Sequence, residues 1–224
     1  MTALFNSYIY NPILSVLLFI YNSITFSDLG VAIIVLTIFI RIVLFPLFYK
    51  GAKDQAIMQK LQPHIKKIQL DHKDDKEKQA KELLDLYKKY NFNPFFGIFS
   101  IIIQLPIFFA LFKMFGRELG NLGVTSTLMF GVFDLGTKGI VLPIIAAALQ
   151  YIQGKLSMPD TKKNQTGDNP LASVGKTMVY IGPILTLLIF SNLPSALSVY
   201  WIVSSLFAIA QQLYINKKLP KFED

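Results

Sequence analysis

The sequence predicts an all-α polytopic membrane protein, with five transmembrane helices, an N-terminal interfacial helix and a cytoplasmic helical hairpin. Three observations predict it. Of 224 residues, 53% are hydrophobic and 19 are phenylalanine, an apolar excess that suits a bilayer better than a soluble domain. Apolar runs approaching the roughly 20 residues needed to cross a bilayer, at about 1.5 Å per residue, recur along the chain. Charged residues are concentrated in short stretches between those runs, as the loops of a multi-span protein require.

Residues 1–27 are apolar and contain no Lys or Arg. They lack the charged n-region of a secretory signal, so no cleaved leader is expected. Wound as a helix, the segment puts Asn11, Ser15, Asn22 and Thr25 on one face, with Ile13, Leu17 and Ile20 elsewhere, which favours a helix lying in the membrane interface. A sixth span is the competing reading, because hydrophobicity alone nearly allows it.

The first span is residues 28–48, and Arg41 lies inside its apolar run rather than at an edge. A charge near the bilayer centre costs about 2.5–3.5 kcal/mol on insertion scales. Two arrangements offset that cost: the side chain snorkels towards the Lys50 end, or it faces a wet cavity.

Composition changes abruptly over residues 49–93, which hold 11 of the 22 basic and 7 of the 14 acidic residues. Ile57, Leu61, Ile65 and Ile68 repeat at helical spacing, the run DHKDDKEK interrupts them, and Ala80, Leu83, Leu84 and Tyr87 resume the repeat. Two amphipathic helices joined near Asp71–Asp75 follow, with Pro63 expected to kink or break the first. The remaining spans are 94–113, introduced by Asn93 and Pro94, then 139–157, 177–193 and 195–215. An outer interfacial loop at 114–138, carrying Leu128, Met129 and Phe130, a cytoplasmic loop at 158–176 and a short basic tail at 216–224 complete the chain.

Topology follows from the positive-inside rule. The hairpin, the 158–176 side of the third span and the tail together carry 18 Lys and Arg, against 3 in the 114–138 segment with its flanking Lys113. The N-terminus is therefore expected outside and the C-terminus in the cytoplasm. Most of the +8 net charge is accounted for in this way, without invoking nucleic acid. The sequon Asn164-Gln165-Thr166 would then lie in the cytoplasm and be inert.

Polar residues line one face of most spans: Thr37 and Arg41; Gly97, Ser100 and Gln104; Gln150, Gln153 and Ser157; Ser198, Ser205 and Gln212. Arg41, Gln104, Gln150 and Ser205 fall at a common depth, roughly 10–15 Å from the cytoplasmic ends. The outer halves, VAIIVL, LPIFFALF and IVLPIIAA, contain no charged or amide side chain. The pattern suggests a pocket open to the cytoplasm and sealed outside, whose arginine attracts acidic parts of a translocating polypeptide. For any single amide, interhelical hydrogen bonding explains its presence equally well.

Known chemistry is not signalled. The chain has no cysteine and only His64 and His72 as histidines, with no metal-binding spacing. It has no dinucleotide, P-loop or nucleophile-elbow motif, so neither an enzyme nor a cofactor is expected.

The segment KDQAIMQKLQPHIKKIQLDHKDDKEKQAKELLDLYKKYNFNP followed by FFGIFSIIIQLPIFFALF, with FIRIVLFPL around Arg41, LPIIAAALQY around Gln150 and LPSALSVYW ending at Trp201, resembles the YidC membrane insertases and their mitochondrial Oxa and chloroplast Alb relatives. The resemblance covers nearly the whole chain. It implies a five-helix core around a cytoplasm-facing hydrophilic groove, in which Arg41, Gln104, Gln150 and Trp201 are groove residues and Thr37, Ser100, Gln153 and Ser205 complete the lining. It also implies nascent membrane proteins and membrane lipids as partners and a monomer in the bacterial plasma (inner) membrane. The Sec translocon, the signal recognition particle receptor and the ribosome are candidate contacts of the hairpin and tail. This would be a minimal member, without the large periplasmic domain or lipoprotein-type leader of many relatives, and its tail, with three lysines, would dock weakly on a ribosome. Two other classes remain open: a small transporter or channel using Arg41 as an ion site, and a non-inserting assembly scaffold.

Overall fold

The computed structural model describes residues 3–91, 95–157 and 170–218, except for the side chains at 59, 95–101, 170–176 and 178. Asn93, Pro94, the sequon, most of the 158–176 loop, the tail beyond Lys218 and the side chains of Gly97 and Ser100 thus lie outside the described residues. What is described is all-α apart from one small β-hairpin.

The chain starts with α1 (Ala3–Phe5), a π-helical turn (Asn6–Tyr10) and α2 (Asn11–Ser23), which run on as one helix. Tyr10, Leu17, Ile20 and Tyr21 are buried, while Asn11, Ser15 and Asn22 are exposed together with Leu4, Tyr8 and Phe19. Thr25 departs from the expected polar face. It is buried in the turn after α2, where its hydroxyl donates to the carbonyls of Tyr21 and Asp28. Asp28 caps α3 (Leu29–Val43) by accepting from the Val31 amide at 2.9 Å, which satisfies one of the free donors of the first turn.

α3 ends short of the expected span. It breaks at Leu44, and α4 (Phe45–Asp71) leaves at 70° to it. Pro46 in the first turn of α4 explains the break, since proline has no amide for the Ile42 carbonyl and its ring crowds that oxygen. Pro63, by contrast, does not end α4, which stays helical through it for 27 residues; of the two outcomes expected there, a kink or a break, the break is corrected, and the flanks on both sides are packed. Leu61 and Ile65 are buried with Ile57 against Leu83, Leu86 and Tyr87 of α5 (Lys76–Lys89) and against Tyr90, which follows its last turn. α5 is capped by Asp75, whose carboxylate accepts from the Lys78 amide at 2.9 Å, and His72 meets Glu82 at 2.9 Å across the pair.

α6 (Phe95–Arg117) leads through a short 3-10 turn (Leu119–Asn121) to β1 (Leu128–Met129) and β2 (Phe133–Asp134), an antiparallel pair packed against α3. α7 (Val141–Leu156), α8 (Pro170–Phe190) and α9 (Ser195–Lys218) follow, and α7 packs against both of the others. Among the described residues, Ala3–Ser23 and Ser195–Lys218 are long and apolar enough to cross a membrane, the bent pair around Leu44 makes a third candidate, and Val141–Leu156 and Val179–Phe190 are shorter apolar helices.

The main core is at the Asp28 end of the bundle. Leu29, Ala32, Ile33 and Leu36 of α3 meet Ile107, Ala110, Leu111 and Met114 of α6 and Ala196, Leu197 and Tyr200 of α9, closed by Leu17 and Tyr21 of α2 and by Leu135. Towards the Leu44 end, α9 instead buries Ser204, Ser205, Gln211 and Gln212. α9 buries hydroxyls along much of its length, Ser195 and Ser198 in its first turns and Ser204 and Ser205 further on, and buried amides, Gln211 and Gln212, only towards the Leu44 end.

Candidate functional site

Arg41 stands in the last turn of α3, just before the break at Leu44. The bend returns α4 beneath it, so the Arg41 guanidinium sits 4.7 Å from the centre of the buried Phe48 ring. A cation over a ring face is worth about 0.5–2 kcal/mol, which offsets part of the desolvation of the guanidinium but does not neutralise it. Among the described residues no carboxylate pairs with Arg41; its electrostatic neighbour is the hydroxyl of Tyr200. A half-buried cation with no counter-ion has spare capacity for an anion.

Tyr200 joins two of the predicted residues. Its hydroxyl, on the buried first half of α9, accepts from the Gln104 side-chain amide of α6 and lies within electrostatic reach of Arg41. A hydrogen bond thus joins α6 to α9 within electrostatic reach of Arg41 on α3. A second group lies next to it along α9. The Gln150 carbonyl oxygen of α7 accepts from Thr186 of α8 and from the Trp201 ring nitrogen, the latter at 3.2 Å. Trp201 is held by Phe190 at 5.2 Å and by Phe108 at 6.3 Å between ring centres. Adjacent residues of α9, Tyr200 and Trp201, therefore link the two groups.

The other predicted residues are placed differently. Thr37 is buried and its hydroxyl donates to the Ile33 carbonyl at 2.6 Å, a bond within its own helix that consumes its donor. Ser205 is buried on α9, and Gln153 is half-buried one turn beyond Gln150. The Ser100 side chain is outside the described residues. Tyr200, Thr186 and Phe48 were missed in the sequence. Thr186 left a signal, as the only hydroxyl in the apolar stretch IGPILTLLIF, and Tyr200 precedes Trp201; Phe48 gave none, because its position depends on the bend.

The two groups do different work. Each amide is engaged between helices, and such bonds contribute about 0.6–1.7 kcal/mol apiece in a membrane. Arg41 is the member of these groups that has no carboxylate partner among the described residues. Among the described residues no three His, Asp or Glu side chains gather as a metal would require.

A model of the 60Kd inner membrane protein family matches residues 19–222. Curated relatives are named membrane protein insertase YidC: that of Fusobacterium nucleatum is 35% identical over 214 residues, 95% of this chain and 98% of its own length. Those of Geotalea uraniireducens and Syntrophus aciditrophicus are 34% and 36% identical over 93% and 92% of this chain. The chain spans only 37% and 36% of the length of these two. The apolar helices agree with a protein of the bacterial inner membrane. From the residues that match and the extent over which they do so, this chain belongs to the 60Kd inner membrane protein family, as a YidC-type member.

Proposed function

We propose that the chain is a membrane protein insertase whose Arg41 draws short hydrophilic tails of nascent membrane proteins into a groove at the Leu44 end of the bundle. The observation that carries this reading is a half-buried guanidinium without a carboxylate partner among the described residues. It sits towards the end of the bundle where α9 buries Ser204, Ser205, Gln211 and Gln212, away from the main hydrophobic core. The excess of 18 basic residues against 3 turns the Leu44 end to the cytoplasm, with the N-terminus outside. In this reading five helices span the bilayer: α3 with the first turns of α4, then α6, α7, α8 and α9. The helix Ala3–Ser23 lies in the outer interface, and α4 with α5 forms a cytoplasmic hairpin.

The mechanism needs no covalent step. An acidic or polar tail exchanges water for Arg41 and the hydroxyls of α9, which shortens the path it must travel through hydrocarbon. The attached apolar helix then moves into lipid, where burial of its own surface, at about 25 cal/mol per Å², drives the transfer. Gln150, Thr186 and Trp201 hold α7, α8 and α9 together while the cytoplasmic side opens. The hairpin, which carries half of the basic residues, is the candidate contact for the ribosome, the signal recognition particle receptor or the Sec translocon, and the insertase acts as a monomer.

The reading is tested by reconstituting the full chain in liposomes and following, by protease protection, insertion of a single-span substrate with a short acidic N-terminal tail. Insertion above that in empty liposomes is expected. No excess over empty liposomes, with tails of any charge, would overturn it.

A further inference from the structure

On the Asp28 side of the bundle, the backbone holds aromatic side chains outwards. Phe26 and Ser27 have φ of 51° and 66°, and Phe130 has φ of 53°. This left-handed region is uncommon for residues with a Cβ and unfavourable for bulky ones. A phenylalanine held there calls for an explanation, because a glycine would give the same turn at less cost. Both phenylalanines are exposed, Phe26 to 99% and Phe130 to 63%.

These turns are tied to each other. Asp28 accepts from the Phe130 amide through one carboxylate oxygen and from the Val31 amide through the other. The Tyr21 hydroxyl accepts from the Ser126 amide at 2.9 Å and bonds to Thr125 at 3.0 Å. Gly30 lies so close to Met129 that a Cβ would fall 2.2 Å from its Cγ. The β-hairpin tip is a tight turn over Phe130 and Gly131, closed by the Val132 amide on the Met129 carbonyl at 3.1 Å. Phe26 and Phe130 are thus two tips of one hydrogen-bonded unit.

We propose that this unit is an aromatic foot that seats Phe26 and Phe130 at the boundary between headgroups and acyl chains of the leaflet on the Asp28 side. Two features point to lipid. Residues 119–133 contain no charged side chain, unlike a loop meant for water. The exposed apolar surface also continues on both sides of the tips, through Phe19 and Ile24 on one and Val132 and Phe133 on the other. Aromatic rings are the side chains that collect at that boundary. The consequence is positional: a foot fixed in one leaflet sets the depth of the bundle and hence of Arg41. The proposal rests on membership of a membrane family and is independent of what the Arg41 groove binds.

The test places tryptophan at the tips, as Phe26→Trp and separately Phe130→Trp, in the full chain reconstituted with brominated phospholipids. The signal of the native Trp201 is measured on the unsubstituted protein and subtracted. The foot predicts blue-shifted emission, stronger quenching by bromine near the headgroup than near the chain end, and protection from aqueous iodide. Quenching by iodide with none by bromine would place the tips in water and overturn the proposal. Protection from both would mean that protein covers them, a second copy or another partner, and would overturn it equally. If either tryptophan variant loses helical circular dichroism, Phe26→Cys or Phe130→Cys carrying a polarity-sensitive fluorophore reads the same depth, since the chain has no other cysteine.

Discussion

Replacing Gln150 by alanine should loosen the contact between α7, α8 and α9 before it affects any substrate. The Gln150 oxygen accepts from both Thr186 and Trp201, so the substitution deletes two interhelical bonds and strands two donors. At about 0.6–1.7 kcal/mol per bond in a membrane, the loss is about 1–3 kcal/mol. For a chain of this size each kcal/mol moves the melting temperature by about 2–4 °C, so a fall on the order of 5 °C is expected. The assay is intrinsic fluorescence during thermal unfolding in detergent. Trp201 is the only tryptophan in the sequence, so the probe sits on the contact being tested. Gln150→Glu keeps an acceptor oxygen and should retain most of the stability, whereas Gln150→Leu should behave as alanine does. Equal melting temperatures for native, Ala and Leu proteins would refute the view that Gln150 fastens these helices and would return it to direct contact with substrate.

Gly30→Ala should destabilise by up to about 2 kcal/mol, because the clash with Met129 outweighs the helix preference of alanine, about 1 kcal/mol against a cost of about 1–3 kcal/mol. Adding Met129→Gly should recover part of that loss, and strictly additive effects in denaturant or thermal unfolding would contradict the contact. Asp54 of α4 is buried with one carboxylate oxygen unpartnered, and burial raises its carboxyl above the ordinary range despite Lys50 and Lys53. A raised acid adds stability below its ordinary value and loses it as pH rises through the raised one. The native protein should therefore stabilise on acidification from neutrality. Asp54→Asn should flatten that dependence and add about 1–3 kcal/mol at neutral pH, and an unchanged pH profile of melting temperature would refute the assignment.

What the sequence revealed and what it withheld follow from the range of the interactions involved. Apolar runs and the residues Ile57, Leu61, Ile65 and Leu83 are local or periodic signals, and they led to helices found in the fold and to a packed contact between α4 and α5. Gln104 and Gln150 were also legible as polar positions in apolar helices, because an amide stands out in such a run. Which side chain each amide meets was not legible. Tyr200 stands 96 residues from Gln104 and Thr186 stands 36 from Gln150, and only tertiary packing pairs them. The break at Leu44 had its cause in view, in Pro46. Its consequence, a Phe48 ring under Arg41, required the 70° turn to be known. Pro63 shows the converse, a local helix-breaking signal overridden where apolar neighbours on both sides are held by a partner helix.

In the proposed mechanism the charge of Arg41 handles the substrate's tail. The most direct measurement compares initial insertion rates of one single-span substrate, with an acidic or a neutral tail, into proteoliposomes holding native protein, Arg41→Lys or Arg41→Ala. A charge-assisted contact is worth about 1.5–3 kcal/mol, or roughly tenfold or more in rate. The acidic tail should slow by about that factor with Arg41→Ala and recover largely with Arg41→Lys, while the neutral tail changes little. Equal losses for both tails, or no loss for the acidic one, would contradict the account.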